Sequence, residues 1–364
     1  MTGRFAGFGV ALVLLAGLAG ACRQQSGEQA PPQPERAASS GMRLVVSDET
    51  GGNLVLVDPE AGRVVDRIAV GKRPRGLLML PDKEHVLVAL SGSPIGGPGV
   101  DESALPPADR SADGIGVVDI AARKLVRMLP SGQDPETFDV SRDGQTVYVS
   151  NEETAQISVL DVATATIRDR VKVADEPEGV TLRPDGQVVY VTSEGGNALF
   201  AIDTTKLSVL ARIETGARPR SVEFSRDGGT AFVTAENAGA ITVVDTASHR
   251  VSATIAIPQS AGTPTPPRPM GAVLSPDGRL LFVSLGRARS VAVIDVAARR
   301  LLRTIEDVGT RPWGVAVSAD GRKLFTANGP SGDVSVIDVA AGKVERRVAV
   351  GGSPWGLIVI NESE

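Results

Sequence analysis

The 364-residue sequence holds one cysteine and two histidines. That excludes a disulfide framework, a Cys/His zinc site and any multi-histidine metal centre. It also excludes covalent haem attachment, because Cys-x-x-Cys-His needs two cysteines. Aromatic residues are only 3% of the chain. Helix-length stretches with a 3.6-residue apolar period are missing beyond the first two dozen residues, which argues against a helical bundle. Positive charge is not in excess either. A net charge of −5 and a pI near 5.4 argue against a protein that grips nucleic-acid phosphates. What is present is 42% hydrophobic residues, 41 Gly and 24 Pro, the profile of many short strands and turns around a sizeable core.

Residues 1–22 have the form of an export signal. Arg4 supplies the positive start, Val10 to Ala16 a short apolar run, and Ala19, Gly20 and Ala21 lead into Cys22. This arrangement resembles a bacterial lipoprotein signal, although Ala19 stands where such signals usually carry Leu. The resemblance implies lipidation of Cys22 and a membrane anchor. Residues 23–41 contain no large apolar side chain and read as a disordered tether. Arg23 after the cysteine implies, by the same resemblance, the outer membrane, with the protein facing the periplasm. Residues 42–364 are expected to form one domain.

Self-similarity dominates that domain. Pro-x-Gly or a near match recurs at Pro74, Pro135, Pro177, Pro219, Pro269, Pro312 and Pro354. A Val-x-Val-x-Asp strand closes on Asp58, Asp119, Asp161, Asp203, Asp245, Asp295 and Asp338. Asp-Gly turns stand between at Asp143, Asp185, Asp227, Asp277 and Asp320. Each unit resolves into four runs of 4–8 alternating or β-branched residues bounded by turn residues. Seven such units predict an all-β, seven-bladed β-propeller of four-stranded blades. The first unit lacks its innermost strand, and Gly356 to Ile360 is an innermost strand with nothing after it. Pairing Ile358 beside Val45 would close the ring and remove the open edge.

The segments Val147-Tyr-Val-Ser-Asn151, Val189-Tyr-Val-Thr192 and Ser275-Pro-Asp-Gly278 resemble the YVTN-type propeller repeat of prokaryotic exported proteins. The order of Lys72 to Gly76, Gly132 to Glu136, Glu176 to Gly179, Ala217 to Arg220 and Ser353 to Gly356 is similar to that of bacterial propellers associated with quinone (PQQ)-dependent alcohol catabolism. That likeness implies a setting rather than a reaction. The long insertion in the second repeat and the lipoprotein-like start depart from it.

In antiparallel blades, the loop entering each inner strand and the loop joining second to third strands lie on one face, here the entry face. Two insertions fall there, within Ser91 to Gly114 and Pro258 to Pro267. The Pro-x-Gly positions set Arg75, Glu136, Glu178, Arg220, Met270, Trp313 and Trp355 around the channel mouth. Arg268 and Arg311 precede their prolines. The candidate ligand-binding set is Arg75, Glu136, Glu178, Arg220, Arg268, Arg311, Trp313 and Trp355: a polar pocket with an aromatic wall suited to a flat or cationic ligand. The same charges could instead stitch neighbouring blades, as Arg75 with Glu136 and Glu178 with Arg220. Asp134, Glu136, Asp139, Glu178 and Glu223 are lesser candidates for holding Ca2+. The Asp that ends each third strand reads as a turn-former.

No Ser-His-Asp set assembles, since His85 and His249 fall in turns away from the mouth. The expectation is therefore a non-catalytic, monomeric binding scaffold in the periplasm that meets a protein partner or small ligand on its entry face, accessory to quinoprotein-dependent oxidation. The alternative is a lactonase-type hydrolase, cation-dependent or not, with its site at the mouth. Single-stranded nucleic acid stacked on the tryptophans is disfavoured by the acidic charge.

Overall fold

The computed structural model describes residues 41–96, 101–259 and 265–361. The proposed signal, Cys22 and the tether up to residue 40 lie outside the described residues. Within them, seven four-stranded antiparallel sheets follow one another around a ring. Blades 2 to 7 run in chain order from an inner to an outer strand, beginning at Leu77, Pro135, Pro177, Pro219, Ala272 and Pro312. Blade 1 takes its inner strand, Pro354–Asn361, from the far end of the chain and lays it against Met42–Asp48. Ile358 pairs with Val45, as the repeat arithmetic requires.

The apolar side chains of second and third strands pack between blades rather than within them. Leu44, Val46, Val55 and Val57 of blade 1 meet Phe325, Ala327, Val334 and Val336 of blade 7 in one buried cluster. Tyr148, Ile157 and Val159 of blade 3 meet Val189, Val191 and Phe200 of blade 4 in another. Alternation sends one set of side chains to each neighbouring blade, so a separate buried cluster sits at each blade interface.

Hydrogen bonds add register to that packing. The serine or threonine of the second strand donates to the carbonyl of the Pro-x-Gly residue one blade on: Ser47 to Arg75 at 2.7 Å, Ser150 to Glu178 at 2.7 Å, Thr192 to Arg220 at 2.8 Å and Ser284 to Trp313 at 2.6 Å. This explains why Tyr-Val-Ser and Tyr-Val-Thr recur. The glycine of Pro-x-Gly serves the same contact. A Cβ on Gly179 would stand 2.2 Å from the Arg220 carbonyl oxygen, and one on Gly271 would stand 2.6 Å from that of Trp313. Only glycine permits this approach without movement. Side chains at the mouth are thus set by bonds to the next blade.

The aspartates ending the third strands have the turn role expected of them. Asp58 accepts from the N–H groups of Glu60 and Ala61, Asp203 from Thr205 and Lys206, and Asp338 from Ala341.

Candidate active site

The entry face opens into a central cavity of about 900 Å³. Its wall is built from the two loop sets named above. Arg73, Asp134, Glu176, Arg218, Arg268 and Arg311 come from the loops entering inner strands. Glu49, Glu152, Glu153, Glu236 and Arg287 come from those between second and third strands. Five of the residues preceding proline hold left-handed backbone, with φ of 42° at Arg73, 54° at Asp134, 52° at Glu176, 57° at Arg218 and 54° at Arg311. Non-glycine residues take this conformation at a cost of roughly 1–2 kcal/mol each, and all five line the cavity.

Two arginines organise one side. Arg75, only 1% exposed, pairs with Asp134 and Glu136 and donates to the Pro135 carbonyl at 2.8 Å. Burial alone would lower its pKa, but the surrounding carboxylates raise it above the ordinary value. Asp134 answers in kind. Burial works against its charge, yet Arg75, a hydrogen bond from Ser91 and Arg73 hold its carboxyl below the usual range. Further round the ring, Arg220 pairs with Glu178, Glu194 and Glu236, and Arg218 adds contacts to Glu194 at 2.7 Å and Glu236 at 3.1 Å. The pairs expected across adjacent blades are present, and they are buried rather than exposed.

Glu152 sits at the edge of this network, with its carboxyl against that of Glu136. Its carboxylate lies 3.8 Å from Arg75, beyond hydrogen-bond reach, and its side chain keeps 34% exposure to the cavity. Burial and the nearby charges of Glu136 and Asp134 outweigh Arg75 and push its pKa up to about 8. Deeper in the channel, burial lifts Asp139 to about 6 and Glu223 to about 7. These two accept backbone N–H groups of the next blade, from Leu182 at 2.7 Å and Leu274 at 3.1 Å.

The opposite wall is aromatic and basic. Trp313 and Trp355 stack with centroids 5.9 Å apart and planes at 21°. The guanidinium carbons of Arg311 and Arg220 lie 4.5 and 4.9 Å from the Trp313 ring centroid. Arg268 bonds to the Asn237 side-chain amide. Among the described residues, none of Arg268, Arg287 and Arg311 pairs with a carboxylate, while all three line the cavity.

The structure thus brings Arg75, Glu136, Arg220, Arg268, Arg311, Trp313 and Trp355 to one cavity. Glu178 lies just beneath, under Arg220, and Met270 is buried. Two expectations change. Trp313 already carries the protein's own cations and is stacked on Trp355, so this wall suits an anion better than a cationic ligand. The suggested Ca2+ ligands do not converge. Asp134 and Glu136 are taken by Arg75, Glu178 by Arg220, and Asp139 and Glu223 by backbone amides. Among the described residues no group of three or more His, Cys, Asp or Glu could hold a metal ion. Glu49, Glu152, Glu194, Glu236 and Arg287 were not anticipated. The signal was in the repeat: blades 1, 3, 4 and 5 each carry Glu directly after the second strand.

Comparison with known proteins bears on what such a cavity does. Residues 175–354, just under half the chain, match the sequence model of a family described as "Lactonase, 7-bladed beta-propeller". No curated protein matches the sequence. Among solved structures, the fold is similar to a periplasmic gluconolactonase of Pseudomonas aeruginosa, with a TM-score of 0.72 at 23% identity over 88% of this chain and 99% of that one. It is also similar to a putative 6-phosphogluconolactonase of Bacteroides uniformis, with a TM-score of 0.70 at 16% identity and the same coverage. A third likeness is to hydrazine synthase of Kuenenia stuttgartiensis, with a TM-score of 0.63 at 22% identity over 78% of this chain and 88% of that one. At these identities the structures show a shared propeller fold. The lactonase match overturns the expectation of a non-catalytic scaffold accessory to quinoprotein oxidation and favours the hydrolase alternative.

Proposed function

We propose that the protein is a hydrolase of lactone esters, acting in the entry-face cavity on a substrate that carries negative charge. The observation that carries the reading is Glu152, an ionisable carboxyl facing the cavity with a pKa near 8, suited to proton transfer near neutral pH. The match to a lactonase family supports the reaction class. The arginines without carboxylate partners support the charge of the substrate.

In this mechanism ionised Glu152 takes a proton from water as its oxygen bonds to the lactone carbonyl carbon. The guanidinium of Arg311 meets the charge that develops on the carbonyl oxygen. Collapse of the tetrahedral intermediate breaks the acyl C–O bond, and the proton held by Glu152 passes to the departing ring oxygen. The product is the open hydroxy acid. Arg268 and Arg287 hold the substrate's anionic substituent, and Trp355 packs against its apolar face. Arg75 keeps Asp134 and Glu136 in place and does not itself reach the substrate.

The proposed location is the periplasm, which the signal-like start, the lipoprotein-like Cys22 and the resemblance to the YVTN-type repeat support. The reading is tested with the soluble domain and a panel of sugar-acid lactones, with and without an anionic substituent, followed by proton release in a pH-stat. Saturable hydrolysis above the spontaneous rate, better for the anionic members, is the expected result. Because Trp313 and Trp355 are the chain's only tryptophans and both line the cavity, quenching of their fluorescence reports occupancy in the same samples. Hydrolysis of none of the panel, with no fluorescence change, would overturn the reading.

A further inference from the structure

We propose that Arg110, at the root of the second-blade insertion, is a positioning residue for Glu152. The inference rests on the reading of Glu152 as the proton-transferring group and goes beyond it, assigning a role to an insertion the repeat itself does not need.

Glu152 opens a single 3-10 turn, Glu152–Thr154, between the second and third strands of blade 3. So short a segment has little structure of its own. Asn151, at its start, gives no side-chain cap, and Ala155 ends it in left-handed backbone with φ of 52°. Its fastening comes from outside. The Glu152 N–H donates to the Asp134 carbonyl at 3.1 Å. Glu153, the next residue, is held from the insertion: Ser93 Oγ donates to its Oε1 at 2.9 Å, and Arg110 pairs with its Oε2.

Both ends of the insertion converge on that contact. Arg110 Nη1 donates to Ser93 Oγ at 3.0 Å and to Asp113 Oδ2 at 3.3 Å. Asp113, with its side chain 5% exposed, accepts from Gly92 N at 2.8 Å and from Asp134 N at 3.3 Å. Ser91 Oγ donates to Asp134 Oδ1 at 2.5 Å, and Asp134 is a partner of Arg75. Residues 91–93 and 109–113 therefore form one brace reaching two places: the turn that carries Glu152 and the carboxylate that holds Arg75. Residues 97–100 lie outside the described residues.

The energetics favour a positional role over a stabilising one. Arg110 and Glu153 keep 35% and 39% side-chain exposure, and pairs of that kind contribute roughly 0–1 kcal/mol to stability. Placement is another matter, since misplacing a reacting group by about 1 Å can cost 100-fold in rate.

The groups facing Glu152 are Glu136, Asp134 and Arg75, with Arg220 further off. Their arrangement gives the test a sign. Removing the Arg110 charge without movement would raise the pKa of Glu152, because a nearby cation favours a carboxylate. Releasing the turn would lower it, because Glu152 would move towards water and away from Glu136 and Asp134.

The experiment uses the whole propeller domain with carbon-13-labelled glutamate carboxyls, the Glu152 resonance being assigned by its loss in E152Q. The pKa of Glu152 is read in wild type, R110A, R110K and the control K72A, which breaks the exposed Lys72–Asp109 pair at the same root. For R110A the expected result is a fall of about one pH unit or more and a loss of about tenfold in kcat, with KM nearly unchanged. R110K should recover part of both, and K72A neither. If R110A does not fold, E153Q and R110K decide by the same readouts. The proposal is overturned if the pKa rises or stays put, whatever happens to the melting temperature. Should the wild-type protein cleave no lactone, the carboxyl titration still decides whether Arg110 positions Glu152, and the hydrolase reading falls alone.

Discussion

The two sides of the cavity use arginine in opposite ways. On blades 2 to 5, Arg75 and Arg220 are buried and surrounded by carboxylates from neighbouring blades. On blades 6 and 7, Arg268, Arg287 and Arg311 line the same cavity without a carboxylate partner among the described residues. A buried, paired guanidinium is a structural element. Its removal strands two or three buried charges, which is why such pairs are costly to break even when they add little net stability. A guanidinium left facing a cavity contributes little to the fold, and its charge is available to a ligand. The first kind stitches the ring; on the hydrolase proposal, the second kind reads the substrate. Sequence alone did not separate them, because all stand in or beside the same repeat loops.

The comparison can be broken most forcefully at Arg75. R75A should leave Asp134 and Glu136 buried and unpaired and lower stability by roughly 3–5 kcal/mol, measured by urea unfolding. A loss under about 1 kcal/mol would mean that this side of the cavity does not need its cation. At the other wall, the double variant R268A/R287A should unfold within about 1 kcal/mol of wild type. Its KM for an anionic lactone should rise by about 10- to 100-fold, as expected for losing a charged hydrogen bond or two. Neutral lactones should suffer less, and equal effects on both would show that the arginines do not read substrate charge.

A smaller effect sharpens the account of how side chains reach the mouth. G179A places a Cβ against the Arg220 carbonyl oxygen. It should cost roughly 1–3 kcal/mol, the usual range for overpacking, and disturb the Arg220 cluster. Thr137, which fills the corresponding place in blade 3, avoids that cost by bonding its Oγ1 to the Glu178 carbonyl.

The smallest effect concerns pH. Burial raises the pKa of Glu223 to about 7 and of Asp139 to about 6, and burial beside other carboxylates raises that of Glu152 to about 8, so the folded state holds protons that the unfolded chain releases. Their contribution to stability is fully present below the unfolded carboxyl values, and it declines as pH rises until the folded values are passed. The melting temperature should therefore drift down between pH 5 and about 8, and E223Q should flatten that slope. An equally steep slope in E223Q would assign the drift elsewhere.

The fold was legible in the sequence to the level of single pairings. Two anchors recurring seven times set the blade count, and one missing and one surplus strand placed Ile358 beside Val45. The entry face was legible as well, since strand order alone decides which loops share it. The site was read only in part. Attention to Pro-x-Gly found Arg75, Arg220, Trp313 and Trp355, but missed Glu49, Glu152, Glu194 and Glu236 in the partner loops. Four glutamates at one repeat position were visible; that they would meet the arginines depended on side-chain reach across blades, which periodicity does not encode. The same limit hid the distinction between partnered and unpartnered arginines. The absence of a usable histidine had suggested no catalysis, yet a carboxyl buried beside other carboxyls acquires the titration range that histidine has in water.

The most direct test of the hydrolase reading is the pH dependence of kcat/KM for an anionic lactone, corrected for spontaneous hydrolysis, in wild type and E152Q. The account predicts a wild-type rate that climbs with pH and levels off above about 8, the pKa of Glu152. It predicts that E152Q loses about 100-fold or more of that rate, together with the rising limb. An E152Q protein that folds normally, and turns over with the wild-type rate and profile, would contradict it.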